Sequence, residues 1–122
     1  IEILVVIPRD LVKICASMPN WTISPEELKS ILDNVVLVDV RQPEENEICA
    51  LPGSKLIPLA DVPVRAPVEL AKDSEIVVYC HHGVRSLNAL MAMRQQGFEN
   101  VRSLDGGIDA WAEVCDPDMV RY

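Results

Sequence analysis

The chain has 122 residues, of which 49% are hydrophobic and 25% are charged. This length and apolar content fit one compact domain and exclude a disordered chain, while the lack of any heptad or Gly-X-Y repeat excludes a coiled coil and collagen. Nineteen acidic residues against eleven Lys and Arg give a net charge of −8, which makes nucleic acids and anionic membrane surfaces poor partners.

Residues 1–21 are distinct from the rest of the chain. They contain an apolar run from Ile3 to Ile7 and a predicted helix over Arg9 to Ala16. The run is far shorter than the roughly 20 residues of a membrane-spanning helix. Because no basic segment precedes it and no clear cleavage site follows, we expect no signal peptide. We assign residues 1–21 as an N-terminal extension without a known role and residues 22–122 as the domain.

Four cysteines are spread along the chain: Cys15, Cys49, Cys80 and Cys115. No two of them form a C-x-x-C pair, so the sequence gives no support for a zinc-ribbon or thioredoxin-type site. A disulfide framework is not expected, because a domain of this size builds a sufficient core without one. We therefore expect free thiols in a reducing, cytoplasmic environment.

The first predicted elements of the domain are a helix and a buried strand. Ser24 is a good N-cap, Pro25 suits the first helical position, and Glu27 completes a capping box, so we predict a helix that runs to Leu32. The continuous apolar run Val35–Val40 is typical of a parallel strand covered on both faces. A polar run follows it.

The middle of the chain is rich in turn signals. Leu51-Pro52-Gly53 marks a turn, and Lys55–Leu59 predicts a short strand. Pro63 and Pro67 interrupt the next segment, which leaves one predicted helical turn over Val68–Ala71.

The last third alternates clearly between strand and helix patterns. The predicted elements are a buried strand over Glu75–Cys80, a loop over His81–Arg85, a helix over Ser86–Gln96 ended by Gly97, a short strand over Val101–Leu104 and a helix over Ile108–Val114. Strands that alternate with helices favour an α/β fold around a mainly parallel sheet.

The best candidate site is the loop Cys80-His81-His82-Gly83-Val84-Arg85-Ser86, where a buried strand leads into a helix. Ligands bind at this carboxyl end of a parallel sheet. Backbone N–H groups that converge at a helix start bind anions. Together with Arg85 they would favour the thiolate of Cys80, which is the nucleophilic form. Gly83 supplies the freedom to adopt a positive φ.

The spacing between Cys80 and Arg85 discriminates between two chemistries. Protein tyrosine phosphatases place five residues between the cysteine and the arginine that wrap a phosphate, whereas four residues, His81 to Val84, separate them here. The tighter cradle is better suited to a terminal sulfur atom than to a tetrahedral phosphoryl group. A cysteine-based phosphatase or arsenate reductase remains the less favoured alternative.

The sequence resembles the rhodanese family of sulfurtransferases over residues 22–115. The matching segments are the Cys80–Ser86 loop, Asp39-Val40-Arg41, Leu51-Pro52-Gly53 with Ile57-Pro58-Leu59, and Leu104–Trp111. Residues 116–122 resemble the end of the rhodanese domains of molybdopterin-synthase-activating adenylyltransferases and of some free-standing relatives. Two features depart from the family: Cys49-Ala50 stands where relatives often carry Gly-His, and the first 21 residues match nothing.

The resemblance implies a rhodanese-like α/β fold, with a central mainly parallel sheet flanked by helices on both faces. It also implies a sulfur transfer in which Cys80 takes sulfur from thiosulfate or another persulfide donor, carries it as a persulfide, and passes it to a thiophilic acceptor. Cyanide, a dithiol protein and a sulfur-carrier protein are candidate acceptors. The backbone amides of His81–Arg85 would stabilise the persulfide, and Arg85 would steer the anionic donor. No cofactor is implied.

A non-catalytic rhodanese-like docking module is the alternative from another functional class. Inactive copies typically lose the nucleophile, so the presence of both Cys80 and Arg85 argues against it. A metal site is not expected, because His81 and His82 are adjacent and no third ligand is evident. The two histidines either assist donor binding and titrate near neutral pH, or are exposed side chains whose backbone alone matters.

The remaining residues of interest have supporting roles in this interpretation. Asp39 and Arg41 are expected to brace the sheet edge beneath the loop, and Ser86 to support the loop itself. The acidic residues Glu44, Glu45 and Glu47 are expected to form a solvated helical face. Trp111 is expected to pack the last helix onto the core. Cys49 is either a resolving thiol or, as we favour, an ordinary structural cysteine, and the same holds for Cys15 and Cys115.

Overall fold

A computed structural model describes residues 21–122. The predicted elements within Ile3–Ile7 and Arg9–Ala16, and Cys15, lie outside the described residues. The strands are β1 (Thr22–Ile23), β2 (Val36–Asp39), β3 (Lys55–Leu56), β4 (Ile76–Tyr79) and β5 (Val101–Leu104). The helices are α1 (Pro25–Ile31), α2 (Pro43–Ile48), α3 (Val62–Glu69), α4 (Val84–Gln95) and α5 (Gly107–Val114), and short 3-10 turns cover Leu32–Asn34 and Leu59–Asp61.

The five strands form one sheet in the order β1-β5-β4-β2-β3, and every neighbouring pair is parallel. This confirms the predicted α/β architecture with a parallel sheet. The sheet is buried on both sides, because successive side chains of β4 belong to different core clusters: Val78 to one, Val77 and Tyr79 to the other. All four residues of β4 are buried. The central strand therefore delivers the loop that follows it to a fixed position.

Helices cover both faces of this sheet. Buried residues of α3 and α4 share the cluster of Val78, while those of α1 and α5 share the cluster of Val77. Trp111 of α5 is 4% exposed and packs in the second cluster, as expected. Between residues 21 and 122, no helix is both long and apolar enough to cross a bilayer.

The helix α1 begins at the predicted N-cap, but it ends before the predicted residue Leu32. The Ser24 hydroxyl accepts a hydrogen bond from the backbone N–H of Glu27 at 3.1 Å. The Glu27 carboxylate, predicted to complete the capping box, instead lies 3.3 Å from the guanidinium of Arg102. The α-helix ends at Ile31, and the chain tightens into a 3-10 turn before β2.

The prediction of a single helical turn over Val68–Ala71 is wrong, because α3 already begins at Val62. Pro63 is tolerated in the first helical turn, where no backbone N–H is needed. Pro67 has no N–H to donate to the carbonyl of Pro63. The side-chain amide of Gln96 supplies that hydrogen bond at 2.8 Å, so the helix continues through the proline.

Two other boundaries differ from the prediction by two residues or more, at the start of α4 and at the end of β3. α4 starts at Val84 rather than at Ser86. The polar run after β2 forms the helix α2, in agreement with the helical face expected for its glutamates. Regular strand β3 ends at Leu56. The N–H group of Ile57 still donates to the carbonyl of Asp39 at 2.9 Å, and that of Leu59 donates to the carbonyl of Val40, just after β2, at 3.1 Å. Pairing therefore continues on both sides of Pro58.

Candidate active site

Cys80 lies directly after β4, at the carboxyl edge of the sheet. Its side chain is a free thiol and the residue is 1% exposed. Two backbone N–H groups point at the sulfur: that of Gly83 lies 3.0 Å from Sγ and that of Ser86 lies 3.4 Å from it. Both belong to the start of α4, whose dipole also favours negative charge there. The loop can therefore stabilise an anionic sulfur.

Gly83 forms the cap of α4 with a φ of +107°. A Cβ at this position would meet only ordinary contacts, with Gly106 N at 3.6 Å as the nearest atom. The requirement for glycine therefore comes from the backbone conformation and not from a lack of space.

The start of α5 fixes the loop from the other side. The N–H of Ile108 donates to the carbonyl of Cys80 at 2.8 Å, and that of Asp109 donates to the carbonyl of His81 at 3.1 Å. A Cβ on Gly107 would overlap both carbonyl groups. This role of the glycine pair before α5 was not predicted from the sequence, although two adjacent glycines at a helix start are a signal of close backbone approach.

Two buried serines support the loop beneath the sulfur. The Ser86 hydroxyl lies 3.5 Å from Cys80 Sγ and donates to the carbonyl of Gly83 at 3.1 Å. Its oxygen lies 2.7 Å from the hydroxyl of Ser103 on β5. Ser103 was not predicted as a site residue, because a serine within a strand gives no local signal of where it points.

Arg85 is held by a carboxylate of α2. Its two terminal nitrogens lie 2.6 and 2.8 Å from the two oxygens of Glu45. The hydrogen bond from Arg85 lowers the pKa of Glu45 to about 2, against the opposing effect of burial. The same hydrogen bond raises the pKa of Arg85. The expectation that Glu45 belongs to a solvated face is therefore wrong, because its side chain is only 18% exposed and pairs with the loop.

Tyr122 lies against the loop and joins this pair. Its hydroxyl donates to Glu45 Oε2 at 2.6 Å and accepts from Arg41 Nη1 at 3.0 Å. Its ring stacks on the imidazole of His81, with centroids 3.9 Å apart and an interplanar angle of 10°. Burial and the Glu45 carboxylate raise the pKa of Tyr122 to about 12. A role for Tyr122 was not predicted from the sequence.

Asp39 and Arg41 form a fully buried ion pair at the end of β2. Arg41 Nη2 lies 2.7 Å from Asp39 Oδ2, and its Nε lies 2.9 Å from Oδ1. The guanidinium also donates to the carbonyls of Glu45 and Cys49 at the end of α2. Arg41 thereby ties the sheet to the helix that carries Glu45.

The side chains at the mouth of the loop differ in exposure. His82 is 63% exposed and lies 3.9 Å from a carboxylate oxygen of Asp109, and Val84 is 59% exposed. His81 is half-buried, and its pKa is lowered mainly by burial and also by the neighbouring His82.

In the part of the chain that the structure describes, no three His, Cys, Asp or Glu side chains are grouped as a metal ion would need.

Cys49 lies near Tyr122 and is not part of the Cys80 loop. Its Sγ is 3.9 Å from Arg41 Nη1, and the residue is half-buried next to His81 and Tyr122. Cys115 is likewise a free, half-buried thiol, packed beside the second core cluster. Neither of them contacts the Cys80 sulfur through a hydrogen bond that the structure shows.

The sequence profile of the Rhodanese-like domain matches residues 24–114. The chain belongs to the rhodanese-like domain family. This confirms the resemblance drawn from the loop and the flanking motifs, and the parallel five-stranded sheet is the fold of rhodanese-like structures.

The chain matches part of one relative and most of the length of another. The chain is 42% identical over 105 residues to the probable adenylyltransferase/sulfurtransferase MoeZ of Mycobacterium tuberculosis, covering 83% of this chain and 27% of that protein. It therefore spans about a quarter of the length of that relative. It is 35% identical over 100 residues to the thiosulfate sulfurtransferase GlpE of Pseudomonas aeruginosa, covering 79% of this chain and 87% of that one.

A solved rhodanese-like structure aligns over most of the domain. The human single-domain sulfurtransferase TSTD1 superposes with a TM-score of 0.72 at 28% identity, covering 76% of this chain and 96% of that one. The rhodanese-like fold therefore accounts for nearly the whole described part of the chain.

Proposed function

We propose that this rhodanese-like chain is a sulfurtransferase that carries sulfane sulfur as a persulfide on Cys80. The observation that carries the proposal is the buried Cys80 sulfur facing the N–H groups of Gly83 and Ser86. Relatives that match most of the chain and are covered over most of their own length, such as GlpE, are named sulfurtransferases, which supports the same activity here.

The transfer consists of two displacements at sulfur. In the first, the Cys80 thiolate attacks the outer sulfur of thiosulfate, the S–S bond of the donor breaks, and sulfite leaves with the electron pair. In the second, a thiophilic acceptor attacks the outer sulfur of the persulfide and the Cys80 thiolate leaves. The loop N–H groups stabilise the negative sulfur at both stages. No net oxidant or reductant is consumed.

The residues around Cys80 have distinct roles in this mechanism. Gly83 and the backbone of His81–Arg85 form the cradle, while Ser86 holds it. Arg85 lies beside the donor site, and its guanidinium is held in position and charge-paired by Glu45. His81, His82 and Val84 line the entrance, where donor and acceptor arrive.

The donor is a small sulfur compound, thiosulfate or another persulfide, and the acceptor is a thiophile. A sulfur-carrier protein is among the acceptors we propose, because the chain matches a segment of a relative named adenylyltransferase/sulfurtransferase. The transfer needs a free thiol at Cys80, which a reducing, cytoplasmic environment would maintain.

Intact-mass spectrometry after incubation with thiosulfate and desalting tests the proposal. We expect wild type to gain one sulfur atom, Cys80→Ser to gain none, and the matched control Cys49→Ser to behave as wild type. If wild type gains no sulfur from thiosulfate, polysulfide or a low-molecular-weight persulfide, catalysis is contradicted and the docking module is favoured. Hydrolysis of a generic aryl phosphate by wild type but not by Cys80→Ser would favour the phosphatase alternative.

A further inference from the structure

The arginines around the Cys80 loop are all matched by carboxylates. Among residues 21–122, the pairs are Arg85 with Glu45 at 2.6 Å, Arg41 with Asp39 at 2.7 Å, and Arg121 with Asp109 at 2.9 Å. Their formal charges cancel, and the whole chain carries a net charge of −8. The arginine side chains therefore add little net positive charge to that of the loop N–H groups for attracting a free dianion.

Glu45 is held in place by three different donors. Arg85 contacts both carboxylate oxygens, the Tyr122 hydroxyl donates to Oε2, and the backbone N–H of Gln42 donates to Oε1 at 3.1 Å. A bidentate, additionally bonded carboxylate cannot turn away from Arg85 without losing several hydrogen bonds. Arg85 is therefore paired with a carboxylate that is itself firmly hydrogen-bonded.

We propose that Glu45 is a specificity-determining residue that disfavours dianionic sulfur donors by neutralising Arg85. This inference rests on the proposed sulfurtransferase function. A dianion such as thiosulfate loses twice as much attraction to Arg85 as a monoanion of similar shape, because the Coulomb energy scales with the donor charge. The site thereby selects for sulfur donors of low charge.

Two sulfur donors that are similar in shape but different in charge test this preference. Thiosulfate carries two negative charges, and methanethiosulfonate carries one while it presents the same kind of outer sulfur beside a sulfonyl group. In both reactions Cys80 takes the outer sulfur, and sulfite or methanesulfinate leaves with the bonding pair. The ratio of the two second-order loading rates of Cys80 measures the preference.

We expect Glu45→Gln to raise the ratio of the thiosulfate loading rate to the methanethiosulfonate loading rate by about fivefold at low salt. The substitution removes the negative charge beside Arg85, and thiosulfate gains more from this because it carries one more negative charge than methanethiosulfonate. Glu47→Gln changes the net charge equally from an exposed position on the same helix and should leave the ratio within about twofold. A ratio that Glu45→Gln leaves unchanged, or that both variants raise equally, would overturn the inference.

A second measurement uses wild type alone and does not depend on how a variant folds. With a neutral entrance, the thiosulfate loading rate should stay level or rise between low and physiological salt. A steep fall would show an uncompensated positive site and overturn the inference while leaving the sulfurtransferase function intact. If wild type is loaded by polysulfide or a low-molecular-weight persulfide but by neither of these two donors, this inference is overturned and the sulfurtransferase function stands. If no donor loads wild type, the proposed function fails, and this inference fails with it.

Discussion

The hydroxyl oxygens of Ser86 and Ser103 lie 2.7 Å apart in the buried space beneath the Cys80 loop. Because Ser86 donates its proton to the carbonyl of Gly83, Ser103 is the donor in the contact between the two serines. The position of the loop therefore depends on a strand residue that does not touch the sulfur.

Replacement of this donor gives the first prediction. Ser103→Ala should lower the free energy of unfolding by about 1 kcal/mol and slow sulfur loading a few-fold, because Ser86 loses its partner. Urea unfolding and the initial rate of persulfide formation measure the two effects. Ser30→Ala, which removes an exposed helical hydroxyl, is the control. Equal rates for wild type and Ser103→Ala would show that the serine pair does not position the loop.

A methyl group at Gly107 should damage the site far more than one at Gly53. At Gly107 the new Cβ overlaps the backbone of Cys80 and His81, whereas at Gly53 it meets nothing within 4 Å. Both glycines have positive φ, so Gly53→Ala isolates the conformational cost of about 1–2 kcal/mol. We expect Gly107→Ala to lose at least about 3 kcal/mol of stability and most of its sulfur loading.

Thermal or urea unfolding of both glycine variants, followed by intact-mass loading, checks this difference. Similar stability losses in the two variants would mean that the backbone of the loop yields freely to the added methyl group. That result would contradict a loop clamped between α4 and α5.

The Glu45–Arg85 pair should give a stability that depends on pH. The pKa of Glu45 is about 2 in the folded chain against an ordinary value of 4.5, owing first to the hydrogen bond from Arg85. A carboxyl with a depressed folded pKa stabilises the fold fully above its unfolded pKa, and this contribution is lost as the pH falls through the folded value. Since Arg85 is 35% exposed, solvent screening limits the contribution to about 1 kcal/mol.

We therefore expect wild type to exceed Glu45→Gln in unfolding free energy by a constant amount from pH 7 to about pH 5, and by progressively less towards pH 3. Urea titrations across this range measure the difference, with Glu47→Gln as the matched control. A gap that is unchanged at pH 3 would mean that shape, rather than the charge of Glu45, stabilises the fold.

The hydrogen bond from Gln96 to Pro63 should be coupled to the proline at position 67. Gln96→Ala removes the donor to the Pro63 carbonyl and should cost about 1 kcal/mol. In a Pro67→Ala background the helix can supply its own N–H, so the same substitution should cost about half as much. A double-mutant cycle measures this coupling, and additive losses would contradict it.

Local signals were sufficient to predict the central parts of the fold. The apolar run before Cys80 and the glycine after it were enough to predict a buried strand, a loop and a helix in the right order. The helix α3 was not predictable from Pro63 and Pro67, because the group that compensates for the missing N–H of Pro67 is Gln96, which lies 33 residues after the Pro63 carbonyl that it bonds.

The site was predictable where its chemistry is local and not where it is built from distant pairs. Cys80 and its backbone donors lie within one loop. Glu45, by contrast, pairs with Arg85 across 40 residues and with Tyr122 across 77. On its own helix, Glu45 is one of several glutamates with no feature that separates it from the exposed ones, so a solvated face was the reasonable expectation from sequence.

The hydrogen bonds from α5 to the carbonyls of Cys80 and His81 have a consequence for biosynthesis. Cys80 is added to the growing chain before Ile108 and Asp109. Until those two N–H groups arrive and α5 packs against the sheet, the carbonyls of the loop lack their partners and its backbone is not constrained. The loop around the nucleophile is therefore completed only when the helix that follows the last strand is in place.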